Sequence, residues 1–79
     1  MRDLAEVVKY LAQSVVDHPE SVVVKTKRGP ETTYYIHVHD GEEGRIIGKN
    51  GRVIQAIRTI ARGLNTNRNR VQVDLSSKK

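Results

Sequence analysis

The chain has 79 residues and no cysteine, which leaves room for one small domain with one core and no disulfide or thiolate–metal brace. No apolar run approaches the ~20 residues of a membrane-spanning helix and the N-terminus lacks a signal-peptide pattern, so a soluble, cytoplasmic protein is expected. The net charge of +5 is uneven: residues 1–43 hold five basic and eight acidic side chains, residues 44–79 nine basic and one acidic.

Leu4, Val7, Val8, Leu11 and Val15 recur at helical spacing, and Ala5, Ala12 and Val16 widen the apolar stripe. They predict a first helix from about Asp3 to Asp17, stopped because Pro19 disfavours helical geometry at His18. Ser21 to Lys27 is rich in β-branched residues and reads as a strand. Arg28-Gly29-Pro30 is a turn. Glu31 to His39 then alternates, with Tyr34, Ile36 and Val38 on one face and Thr33, Tyr35, His37 and His39 on the other. Two strands joined by so short a turn predict an antiparallel hairpin.

Asp40 followed by Glu43 fits a capping box for a short helix from Gly41 to Ile47. After Gly48-Lys49-Asn50-Gly51 comes a third helix. Val53, Ile54, Ile57, Ile60, Ala61 and Leu64 form its apolar arc, opposite Arg52, Gln55, Arg58, Thr59 and Arg62. Gly63 and Asn65-Thr66-Asn67 end it. Val71, Val73 and Leu75 alternate with Gln72 and Asp74 in a last strand, and Ser76 to Lys79 reads as a frayed tail. A strand that returns after a helical crossover runs parallel to its neighbour. The fold class predicted is α+β, in the order α-β-β-α-α-β, with a three-stranded mixed sheet and three helices on one face.

The stretch from Ile46 to Ile54 carries the functional information. Glycine lets a backbone turn sharply and lets a ligand come close. Gly48 and Gly51 flank a Lys49-Asn50 tip, and the next helix aims its free amides and partial positive charge at the same place. Lys49 and Arg52 add full charges, Asn50 can donate hydrogen bonds, and Arg45 lies one turn earlier. Ile46, Ile47 and Ile54 can floor a groove for bases, and Arg58 and Arg62 extend the positive charge along the third helix. From Gly44 through Val73 there are seven basic residues and no acidic one, the footprint expected of polyphosphate binding.

Ile46-Ile47-Gly48-x-x-Gly51-x-x-Ile54 resembles the KH signature, an aliphatic pair, a Gly-x-x-Gly turn and a further aliphatic residue. The element order resembles the type II KH arrangement over nearly the whole chain. Gly44-Arg45-Ile46-Ile47-Gly48-Lys49-Asn50-Gly51-Arg52, followed by Ala56-Ile57-Arg58, is similar to the small bacterial single-KH-domain RNA-binding proteins of the KhpA family. Glu43 departs from that pattern where an aliphatic residue is frequent, and Val53 and Ile54 are bulkier than the small residues frequent after the loop. The resemblance implies single-stranded RNA held by the glycine turn, with Arg45, Ile46, Ile47, Gly48, Lys49, Asn50, Gly51, Arg52, Ile54 and Arg58 as site residues. It further implies an RNA-chaperone-like role, a larger KhpB-like KH-containing partner, homodimerisation, and effects on cell shape and cell-wall homeostasis.

Other chemistries fit less well. A nucleotide-binding P-loop needs four residues between its glycines and a hydroxyl after the lysine; here there are three, and Asn50. His37 and His39 could share a strand face, but no third zinc ligand follows, and no metal or cofactor is implied. No nucleophile–base set suggests an enzyme. Three tyrosines without Phe or Trp make no stacking platform of the RRM or OB type. The competing class is a protein-interaction or dimerisation module with a KH fold and little RNA affinity of its own, since a chain this short gains stability by oligomerising.

Overall fold

A computed structural model of the chain describes residues 3–65 and 70–76. The first helix, α1, spans Leu4–Gln13 and starts where the Asp3 carboxylate accepts the Ala5 amide at 3.3 Å. It ends four residues before the predicted Asp17. At its end the Ser14 hydroxyl donates to the Leu11 carbonyl at 2.6 Å, a local bond that competes with the helix. Farther on, the amides of Asp17 and His18 donate to the Glu42 carboxylate at 2.9 and 3.2 Å, which takes the chain off the helical path. Pro19 then opens a 3₁₀ turn over Pro19–Ser21.

Strand β1 is Val23–Lys27, starting two residues later than predicted because that turn uses Ser21. Strand β2 is Glu31–His37, and His39 lies beyond its end. The two pair antiparallel, and β3, Arg70–Leu75, pairs parallel to β2, giving the sheet order β1-β2-β3. The predicted alternation holds. Tyr34, Ile36 and Val38 are buried with Val71 and Val73, while Thr33, Tyr35 and His37 are only half-buried. Burial, aided by Asp3, pushes the Tyr34 hydroxyl up, with Arg28 opposing.

Helices α1, α2 (Glu43–Ile47) and α3 (Arg52–Leu64) complete an α+β fold with the mixed sheet predicted. Helix α2 begins at Glu43, later than the predicted Gly41. Glu43 reaches back to the Gly41 amide at 3.1 Å, and the residue at the cap position is Glu42. The core contains Val8 and Ala12 of α1, Ile46 of α2, Ile54, Ile57 and Ala61 of α3, and the inward face of the sheet. The apolar arc of α3 is wider than the surface that covers it, so Ile60 and Leu64 stay exposed. No helix among the described residues is long and apolar enough to cross a membrane. Thr66, Asn67, Arg68 and the tail beyond Ser76 lie outside the described residues.

Candidate nucleic-acid interface

The backbone from Gly48 to Gly51 turns α2 into α3 within four residues. Gly48 ends α2 with its amide donating to the Gly44 carbonyl at 2.8 Å, and has φ 76° and ψ 177°. That conformation is open to glycine and nearly closed to other residues. A Cβ at Gly48 would lie 2.3 Å from Val53 Cγ2, 2.7 Å from Val53 Cβ and 2.9 Å from the Val53 amide nitrogen. Asn50 is left-handed at φ 57°, which asparagine tolerates better than most residues. Gly51 follows at φ 76°, with nothing within 4 Å of where its Cβ would stand. The two glycines therefore differ: Gly48 is required by packing as well as conformation, Gly51 by conformation alone.

Gly51 is also the N-cap of α3 and supplies no side-chain acceptor to its first turn. Amides left over at a helix start attract anions, and α3 has 13 residues of aligned dipole behind them. Lys49, Asn50 and Arg52 are exposed around this start. Among the described residues, no ion pair or side-chain hydrogen bond engages Lys49 or Arg52. Arg45 is also exposed, but its guanidinium lies 3.0 Å from Asp17.

The other predicted site residues divide by burial. Ile47 is exposed beside the loop, whereas Ile46 is fully buried and Ile54 nearly so. Ile46 and Ile54 thus hold α2 and α3 in the core beneath the loop and present little surface. Arg58 is half-buried, donating through Nε to the Val73 carbonyl at 2.9 Å, with a terminal nitrogen 3.6 Å from Asp74. It ties α3 to β3 and is the predicted cation with the least freedom. Arg62 is exposed in the last turn of α3.

The residue that sequence reasoning missed is Glu42. It is buried, and it accepts from the amides of Asp17 and His18 and meets the His18 Nδ1 at 3.1 Å. Burial pushes its carboxyl up, but the hydrogen bonds from His18 and Asp17, with the His18 ring adding Coulombic attraction, outweigh it and hold the carboxyl below the ordinary range. The His18 ring stacks on His39 at 4.0 Å between centroids. These contacts fasten the linker after α1 to the start of α2, and so position the helix that ends in the loop. The partners are 24 and 25 residues apart, and no local pattern announces them. Among the described residues there is no group of three or more side chains that could hold a metal.

Residues 5–76 match the family described as KhpA/KhpB, KH domain. This chain belongs to that family. It is 37% identical over 70 residues to the RNA-binding protein KhpA of Oceanobacillus iheyensis, covering 86% of this chain and 93% of that one. It is 40% identical over 73 residues to the RNA-binding protein KhpA of Chlamydia pneumoniae, covering 91% and 92%. A crystal structure of Aquifex aeolicus Era bound to GDP.AlF4- shares the fold at a TM-score of 0.66 and 24% identity. That match covers 95% of this chain and 31% of Era, so the fold corresponds to one part of the larger protein. Within the KH frame, the bulk of Val53 gains a meaning: it closes over Gly48 and leaves no room there for a side chain.

Proposed function

We propose that this chain binds single-stranded RNA by clamping its sugar-phosphate backbone against the Gly48–Gly51 loop and the start of α3. The observation that carries the reading is the coincidence of three features. The α3 N-terminus lacks a side-chain cap, two cations beside it have no partner among the described residues, and the backbone between them bears no side chain at Gly48 or Gly51. Phosphate oxygens would accept from first-turn amides and from Lys49 and Arg52, with Asn50 adding a donor. About four nucleotides fit such a clamp, their bases turned toward Ile47. Arg45 adds a charge one turn away, and Arg58 contributes only the donors that Val73 and Asp74 leave over. The relatives named RNA-binding protein KhpA support this reading.

A single short clamp holds RNA better than it selects a sequence. An RNA-chaperone-like role in the cytoplasm, in partnership with a larger KhpB-like KH protein that adds contacts, fits that limit. The family's link to cell shape and the cell wall would follow through the RNAs so handled. A dimerisation module is the second reading, favoured by Ile60 and Leu64, which lie one turn apart on α3 and are 41% and 52% exposed. The two readings separate in one titration. Fluorescence anisotropy with a labelled single-stranded RNA, repeated across salt concentrations, should give an affinity that falls with a slope of about −0.7 per phosphate contact. Absence of binding, with self-association seen by sedimentation, would favour the module.

A further inference from the structure

Arg45 differs from Lys49 and Arg52 in already having a partner. Its Nη2 lies 3.0 Å from Asp17 Oδ2. Asp17 belongs to the linker after α1, far from Arg45 in sequence, and it is held there by the fold. Its amide donates to the Glu42 carboxylate at 2.9 Å, and the His18 amide does the same at 3.2 Å. The Arg45 amide donates to the Glu42 carbonyl at 3.0 Å. One buried residue therefore fixes the backbone of both members of the pair. The side chains themselves stand in water, 54% and 61% exposed, so the pair is weak and exchangeable.

We propose that Asp17 is an affinity-setting residue, a tethered carboxylate that occupies Arg45 in the free protein and competes with an RNA phosphate for it. The inference rests on the RNA-binding reading above. When a phosphate takes the guanidinium, the Asp17 carboxylate is released to water, and the energy of the pair is subtracted from that of the contact. The competitor acts at Arg45 alone: Lys49 and Arg52 meet no carboxylate among the described residues. The pair thus lowers affinity without altering the loop.

The test is a double-mutant cycle on the full chain, read by anisotropy with a labelled single-stranded RNA of mixed sequence. Asp17→Asn removes the charge and keeps the shape and the backbone amide. It should tighten binding about two- to five-fold, the range an exposed pair is worth, and steepen the salt slope by at most about 0.7. Arg45→Ala should weaken binding, and adding Asp17→Asn to it should give no gain. An equal gain in both backgrounds would mean general charge repulsion and would overturn the proposal. So would no gain from Asp17→Asn in the natural chain. Arg45→Ala with unchanged affinity would remove Arg45 from the RNA site and the proposal with it, while leaving the loop clamp standing. Circular dichroism melts of each variant check that the fold is retained.

Discussion

At the scale of single residues, the two glycines of the loop make a graded prediction. Gly48→Ala meets both a left-handed φ and contacts of 2.3 to 2.9 Å with Val53. Two of those contacts are to the Val53 Cβ and amide nitrogen, so Val53→Ala would not relieve them. Gly51→Ala meets only the conformational penalty, roughly 1–2 kcal/mol. Urea melts should show Gly48→Ala to be the more destabilising, and RNA titrations should show it to be the more harmful to binding. Arg58 offers a second contrast. Arg58→Lys keeps the charge but loses the Nε bond to Val73, at a cost of about 0.5–1.5 kcal/mol. If the side chain serves mainly to join α3 to β3, the melting temperature falls while RNA affinity holds. The difference between Gly48 and Gly51 was not legible in the sequence, where both appear as the same permissive residue. It depends on Val53 folding back over one of them.

At the scale of elements, the order of the three α-helices and three strands was legible in the sequence. Periodicity marked α1, α3, β2 and β3, each with one face in the core, while β1, which buries no residue, was marked by its β-branched content. Boundaries failed where a long-range contact competed with a local signal. The helical pattern of α1 continues through Val15 and Val16, yet the helix stops at Gln13. The Ser14 hydroxyl turns onto Leu11, and Glu42 captures the chain just beyond. The sequence pointed to an Asp40–Glu43 capping box, but the helix starts at Glu43 with Glu42 at the cap position, and Glu43 accepts only from the Gly41 amide before the helix. The depressed pKa of Glu42 gives a signed prediction. The folded value lies below the ordinary 4.5, so its contribution to stability is full above that pH and is lost as pH falls through the folded value. Glu42→Gln should lower the melting temperature at neutral pH, and the gap from the natural chain should narrow in acid. A gap that is constant down to acid pH would contradict the assignment.

At the scale of the whole molecule, sequence and fold agree on a division of labour. The acidic half contributes α1 and the hairpin, and the basic half contributes the loop, α3 and β3. The outward sheet edge β1 carries Lys25 and Lys27, which discourage pairing with other strands. The candidate site was legible to the extent that it is local: the aliphatic frame, the glycine spacing and the cations are contiguous in the chain. What the sequence could not give was which of its residues are spoken for. Ile46 is in the core, Arg58 is bound to β3, and Arg45 is paired with Asp17, each through an element distant in sequence. Lys49, Asn50 and Arg52 are left as the exposed polar groups at the loop, so the central claim concentrates on them.

Replacing Lys49 and Asn50 together by aspartate tests that claim most directly. Asn50 is left-handed, a conformation aspartate also adopts readily, so the loop backbone is retained and only its charge is reversed. Titration with a labelled single-stranded RNA at low salt should show affinity reduced by about ten-fold or more, with a shallower salt slope and an unchanged melting curve. An affinity equal to that of the natural chain would mean that RNA is held elsewhere on the molecule.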